Sequence, residues 1–248
     1  MKTRTFFKSF LSCALAGFVF ISSAQAQSTA DISDPFEPVN RGIFEFNEVV
    51  DKGILEPTAR GYRMIVPSPA RTGIGNFLSN LKSPTDLMNE LLQGDLDGAG
   101  NVLLRAIINT MVGAGGLFDV AGAEGITADD EDFGQTLATW GVGHGPYLMV
   151  PVLGPSSVRD LAGRSLDVYV DPVRLWLFDT ENESWYYAKS LVSVIDTREE
   201  LLETIDDLRA NSIDYYATLR SVYAQRRAAL VRDDDPATAA ASADFSNY

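Results

Sequence analysis

The stretch DPFEPVNRGIFEFNEVVD at 34–51 decides how the rest of the chain is read. It opens like a helix start, with an acceptor at Asp34, a proline at Pro35 and an acid at Glu37, a set that satisfies orphan amides and presets φ. Ile43, Phe44, Phe46, Val49 and Val50 then form a broad apolar face, so the spacing predicts a helix over 35–50. The same grammar returns at Ser83-Pro84-Thr85-Asp86 and, without proline, at Ser157-Val158-Arg159-Asp160. Ser68-Pro69 and Asp171-Pro172 carry the cap and the proline alone. Repeated starts of this kind, with few alternating β-branched runs, predict an all-α protein.

Outward from that stretch, Pro57, Pro67, Pro69 and Pro84 divide the following residues into expected short helices at 56–64, 69–80 and 84–93. Helices this short are marginal alone and need a shared core. Residues 98–118 differ in kind. Between Asp97 and Asp119 the only charge is Arg105, and Val102, Leu103, Leu104, Ile107, Ile108, Met111 and Val112 surround the helix. Such a helix is either buried in the core or turned toward lipid. Gly113, Gly115 and Gly116 should end it.

Residues 94–163 hold 14 of the 20 glycines, together with the acidic run 129–132 and the string GVGHGPYLMVPVLGPSS at 141–157. Pro151 lies inside the run from Tyr147 to Leu153, which therefore reads as an extended apolar loop rather than a strand. From Val173 to Asp235 there is no proline, and after Gly163 no glycine. Leu201, Leu202, Ile205, Leu208, Ile213, Tyr216, Leu219 and Tyr223 recur at helical steps, predicting one long helix or a pair bent near 210–214. Trp185, Tyr186 and Tyr187 suit either an interfacial belt or a core.

The N-terminus has the form of an export signal. Lys2, Arg4 and Lys8 precede an apolar stretch over 10–21, and Ala24-Gln25-Ala26 is a small-x-small site, so residues 1–26 are expected to be removed before Gln27. Beyond it lie all 34 acids but 17 of the 20 Lys and Arg, a net charge near −17. A balance this acidic argues against nucleic acid and against docking on anionic head groups by bulk charge. The single cysteine, Cys13, falls in the signal. Its context, Phe10-Leu11-Ser12 only a few residues after Lys8, is poor for lipidation, so the mature chain is expected to be unlipidated. Residues 27–232 are expected to form one domain and 233–248 a disordered tail.

The residues offer little for catalysis. His144 is the single histidine, no G-x-S-x-G elbow exists, and 129–132 lacks the spacing of a calcium loop. No P-loop or dinucleotide fingerprint is present, so no cofactor, metal or catalytic residue is expected.

Several ordered motifs carry a resemblance. DPFEPVNRGIFEFNEVVD at 34–51, VPSPARTGIGNFLSNLKSPTDLMNELLQGD at 66–95, INTMVGAGGLFDVAG at 108–122, DFGQTLATWGVGHGPYLMVPVLGPSSVRD at 132–160 and Tyr216 with YAQRR at 223–227 resemble the VacJ/MlaA family of outer-membrane phospholipid-trafficking proteins. The likeness spans about 34–230. It implies a ring-like platform of short amphipathic helices, with a long C-terminal helix or bent pair, embedded in the periplasmic leaflet of the outer membrane. It further implies a channel that passes stray phospholipids to a soluble periplasmic carrier, a trimeric porin as partner, and no chemistry on the lipid. A soluble periplasmic lipid-binding or scaffolding protein is the alternative. Members of the family carry a lipid on an N-terminal cysteine, which the expected mature chain lacks.

On that resemblance the signature residues are Asp34, Pro35, Asn40, Arg41, Phe44, Phe46 and Asn47, which either line a lipid path or lock the first helix in place. Gly113, Gly115, Gly116, Phe118 and Asp119 correspond to a glycine turn, and Gly141, Gly143, Gly145, Pro146 and Tyr147 to a channel-proximal loop. Asn101, Arg105 and Asn109 share one side of the 98–112 helix and would present polar groups to a head group. Arg105 is expected to meet either a phosphate or an internal acid.

Overall fold

The computed structural model describes residues 32–233. The expected signal at 1–26, Cys13 and the tail from 234 lie outside the described residues. In chain order the elements are α1 Glu37–Val50, a π-helical turn Asp51–Leu55, α2 Glu56–Ile65, α3 Ser68–Gln93, α4 Leu96–Met111, α5 Val120–Ala123 and α6 Phe133–Thr139. A hairpin of β1 Tyr147–Val150 and β2 Gly154–Ser157 follows. The chain closes with α7 Val158–Val170, α8 Pro172–Asp179, α9 Glu183–Glu200, α10 Leu202–Asn211 and α11 Tyr215–Leu230. Helix accounts for well over half of the described residues, and among them the only sheet is the two-stranded hairpin.

Local grammar works where the cap and its helix are self-contained. Ser157 Oγ accepts from the Asp160 amide at 3.1 Å, and Asp171 accepts from Val173 at 2.9 Å. Three expectations are corrected by long-range contacts. Asp34 does not cap: α1 starts at Glu37 with Pro38 in its first turn, and Asp34 instead accepts from Asn40, Tyr216 and Arg220. Ser83-Pro84 does not start a helix, because Pro84 lies within the 26-residue α3. An interior proline costs roughly 3 kcal/mol, and packing of α3 against α4, α6 and α9 offsets it. Tyr147–Val150 is a strand, paired antiparallel with 154–157, and Pro151 falls in the connecting turn where no ladder donor is needed.

The glycine-free span bends at 212–214 as expected and also breaks at 180–182, where Glu181 adopts φ +57°, and at Leu201. Its final helix, α11, is 16 residues long.

The distribution of polarity is inverted. Tyr147, Met149 and Tyr216 form a small apolar core with Ile43, Phe44, Leu219 and Tyr223. Most other large interior side chains are polar: Asn89, Gln135, Arg159, Asp160, Arg198, Glu199 and Arg227 are all buried. Conversely Met64, Ile65, Met111, Trp176 and Trp185 stand in the open, Met111 at 80 % exposure. Buried charges persist best when paired, and the interior arginines are: Arg198 and Arg209 converge on Asp51, Glu48 and Glu56, and Arg63 and Arg71 on Glu199. Apolar surface outside and ionic networks inside fit a molecule that sits in lipid without spanning it. No described helix is long and apolar enough to cross a membrane.

Candidate functional site

The α4 helix shows how its sequence resolves. Asp95 caps it, accepting from Asp97 and Gly98 at 2.9 Å each. Its apolar positions Leu103, Leu104, Ile107 and Met111 face outward, while Val102, Arg105 and Asn109 turn inward. Of the two environments open to this helix, the structure leaves its apolar face exposed rather than buried in the core, with the polar positions against the protein.

Those polar positions meet a stripe on α3. Asn76, Ser79, Asn80 and Ser83 recur at three- and four-residue steps and, with Arg105, Asn109 and Asp119, line a cleft between the helices. Its volume is about 40 Å³, room for a few waters and not for a lipid. Arg105 Nη2 donates to Asp119 Oδ2 at 2.9 Å and Nη1 to the Ile126 carbonyl, so its guanidinium meets the internal acid. Asn109 Nδ2 donates to Asp119 Oδ1 at 2.9 Å and its oxygen accepts from Ala121. Burial alone would raise the Asp119 pKa, but the Gly122 amide, Asn109 and Arg105 together hold it below the usual carboxylate range. Asn101 is exposed and does not join the cleft.

The glycine turn is fastened to the same stripe. Asn76 donates to the Leu117 carbonyl at 3.3 Å and Asn80 to Thr110 Oγ1 at 2.9 Å. A side chain at Gly113 would press on the Phe118 and Asn109 carbonyls, and one at Gly116 on Asn80, whereas Gly115 faces open space. Phe118 is exposed. The α3 stripe was missed in the sequence because Pro84 suggested two short helices in place of one face; the spacing of Asn76, Ser79, Asn80 and Ser83 was its visible signal.

The loop at 141–147 lies elsewhere. Its hydrogen bonds go to α6, to α7, to Asn40 and to Ser33: Arg159 N donates to the His144 carbonyl at 3.2 Å and Tyr147 N to Ser33 at 2.9 Å. Gly141 has φ +88°, which L side chains rarely adopt, while a side chain at Gly143 would meet nothing within 4 Å. Gly145, also at positive φ, lies against Val158. Tyr147 is not a mobile loop residue: its ring is fully buried between Tyr216 and Tyr223. The structure thus joins Arg105, Asn109 and the 113–116 turn in one seam and gives the 141–147 loop a second location.

The N-terminal signature acts as a clasp. Asn40 Nδ2 donates to the Tyr147 carbonyl at 3.1 Å and its oxygen accepts from Met149 N at 2.9 Å. One heptad on, Asn47 repeats this with Val150 O at 3.0 Å and Val152 N at 2.7 Å. Two amides on one face of α1 thereby stand in for a third strand along β1. Arg41 pairs with Glu37 and Asp214 and stacks 4.4 Å over Tyr216. Phe44 packs edge-on against Tyr215 and Tyr216 while Phe46 is exposed, and Pro35 lies in the turn before α1. These contacts lock α1 to the body of the protein.

The C-terminal half of α3 buries Asp86, Asn89 and Glu90. Burial, reinforced by the neighbouring charges of Glu131 and Asp95, pushes the Glu90 carboxyl up to about 7. Its folded pKa lies above the unfolded value, so its contribution to stability is full below the ordinary glutamate pKa and lost as pH rises through 7. Glu90→Gln should therefore raise the thermal midpoint at pH 8 and leave it nearly unchanged at pH 4. Thermal unfolding at the two pH values checks this; equal effects at both would refute the buried-acid reading.

Comparison with known proteins bears on the whole of this arrangement. The family model described as MlaA lipoprotein matches residues 32–230. The intermembrane phospholipid transport system lipoprotein MlaA of Escherichia coli (strain K12) is 38% identical over 200 residues, covering 78% of this chain and 76% of that one. The protein of the same description from Haemophilus influenzae is 32% identical over 238 residues, with 94% and 92% covered. An uncharacterized protein of Rickettsia bellii is 36% identical over 211 residues, with 85% and 81% covered. A solved structure reported as "Structural basis for maintenance of bacterial outer membrane lipid asymmetry" superposes with a TM-score of 0.71 at 39% identity, covering 80% of this chain and 99% of that one.

Proposed function

The chain belongs to the MlaA lipoprotein family, and from that premise we propose that it works in the outer membrane as a phospholipid translocation component. It takes phospholipids that have strayed into the outer leaflet and passes them toward the periplasm, so maintaining lipid asymmetry. The observation that carries this reading is the inverted polarity: an exposed apolar surface, including Trp176 and Trp185, around an interior of paired charges. Such a body holds itself in one leaflet by its own apolar surface and keeps a polar interior for head groups. The role is transport, with no bond made or broken.

The finer parts of the proposal are the partners and the path. A trimeric porin and a soluble periplasmic carrier are the expected protein partners. The path is proposed to pass over the rim of the polar seam of Arg105, Asn109, Gly113, Gly115 and Gly116, whose own cleft is too small for a lipid, beside the exposed Asn101. Its yielding part is the separate loop at Gly141, Gly143 and Gly145, anchored by the buried Tyr147. Support for the loop is the open space around Gly141 and Gly143. Gly143→Val should keep the folded protein and its partners while reducing outer-leaflet phospholipid clearance severalfold, measured by surface-exposed phospholipid in cells carrying only the variant. Full clearance by a folded variant would remove the loop from the path. Detergent purification from membranes tests the wider reading: phospholipid with a porin supports it, phospholipid alone favours a lipid-binding or scaffolding protein, and neither would overturn it.

A further inference from the structure

The first turn of α7 holds a guanidinium that is only partly used. Arg159 is 5% exposed. Its Nε donates to Asp160 Oδ1 at 2.8 Å, its Nη1 reaches the Val142 carbonyl only at 3.5 Å, and its Nη2 is buried without a partner. Nearby, the Nδ1 of His144 is likewise buried without a partner. Burial first, and then the charge of Arg159, hold the His144 imidazole below its usual range, so the two groups sense one another under the loop. An interior N–H lacking an acceptor is costly, and a native structure keeps one where something else supplies the acceptor. Arg105 offers no such opening, since Asp119 and Ile126 take up its guanidinium.

We infer that the free edge of Arg159, with His144 Nδ1 beside it, is the contact for a lipid phosphodiester on the path under the 141–147 loop. The inference rests on the translocation reading and assigns the head-group contact within it. A planar guanidinium matches two phosphate oxygens, and a neutral imidazole protonated on Nδ1 adds a third donor. The Val142 carbonyl, 3.5 Å from Nη1, is the acceptor at that edge, on a loop where a side chain at Gly141 or Gly143 would meet nothing within 4 Å. Asp160 remains bound to the other side of Arg159 and is shared with Arg227, which also holds Asp132, so two cations face two acids and the charge is already balanced. An arriving phosphate then adds uncompensated negative charge, which keeps the contact weak enough for cargo to leave.

His144 is the one histidine in the chain, so isotope-labelled histidine gives a single imidazole resonance in the detergent-solubilised protein. It should shift on titration with a short-chain phosphatidylglycerol, and not with the matching diacylglycerol at the same bound fraction. Inorganic phosphate should act only at far higher concentration; if it equals the phospholipid, the site is one for free anions and the lipid assignment falls. A resonance unmoved while phosphatidylglycerol is bound overturns the inference and leaves translocation standing. If neither lipid binds, the translocation reading itself fails. Arg159→Lys keeps a cation beside Asp160 but loses the fork, and should lower the preference for phospholipid over diacylglycerol about tenfold with unchanged circular dichroism. An unchanged preference in that folded variant also overturns the assignment.

Discussion

Arg227→Ala is expected to cost about 3–5 kcal/mol of stability and to lower the thermal midpoint by on the order of 10 °C. Arg227 sits between the buried Asp160 and the partly buried Asp132. It donates to Asp132 Oδ2 at 2.6 Å and Oδ1 at 3.0 Å, to Asp160 Oδ1 at 3.1 Å and to Gln135 at 3.2 Å. Burial would raise the pKa of both acids, but Arg227 holds both below the usual carboxylate range, helped at Asp160 by Arg159 and the Tyr223 hydroxyl. Truncation leaves the buried Asp160 and the partly buried Asp132 without their shared cation. Because their folded pKa values are depressed, the stability they contribute is present above the ordinary aspartate pKa and lost as pH falls below about 4. The variant should therefore be weaker at neutral pH and show a flatter loss into acid. Arg226→Ala, one residue away and exposed, is the control and should stay within roughly 0.5 kcal/mol. Equal midpoints for the two variants would show that the network does not hold α11 to α6 and α7.

Gly163→Ala is expected to be as damaging, by at least about 3 kcal/mol, although it adds one methyl group. A Cβ on Gly163 would lie 2.3 Å from the backbone nitrogen of Gly134 and 2.6 Å from its Cα. The obstruction is main chain, so no rotamer change relieves it and α6 must move off α7. Gly134 is in turn close to Asp132, Asp160 and Arg227, each within 2.9 Å of where its own Cβ would be. Separation of the helices therefore opens the same network, and Gly163→Ala combined with Arg227→Ala should cost clearly less than the sum of the two. Gly143→Ala, with nothing within 4 Å, should be near neutral. Denaturant unfolding of the three single variants and the double variant checks the set, and strict additivity would break the link between helix crossing and ion network.

The sequence by itself determined whatever depends on near neighbours. The caps of α7 and α8 form because Ser157 and Asp171 reach amides two or three residues on. The bend near 212–214 and the glycine end of α4 were legible for the same reason. The neutral stretch around Arg105 marked a helix for an unusual environment, and the ordered motifs marked the family. Tertiary structure decided which of several local options was used. Asp34 carries the residue type of a cap, yet Tyr216 and Arg220, more than 180 positions away, capture it. Pro84 looks like a helix start, yet packing along both halves of α3 carries the helix through it. Tyr147–Val150 pairs as a strand because Asn40 and Asn47 complete its hydrogen bonds from across the fold. The orientation of α4, apolar side outward and Arg105 toward Asp119, likewise required the neighbouring stripe on α3. A periodicity gives the faces of a helix but not their directions, because burial of a face is a property of what packs against it.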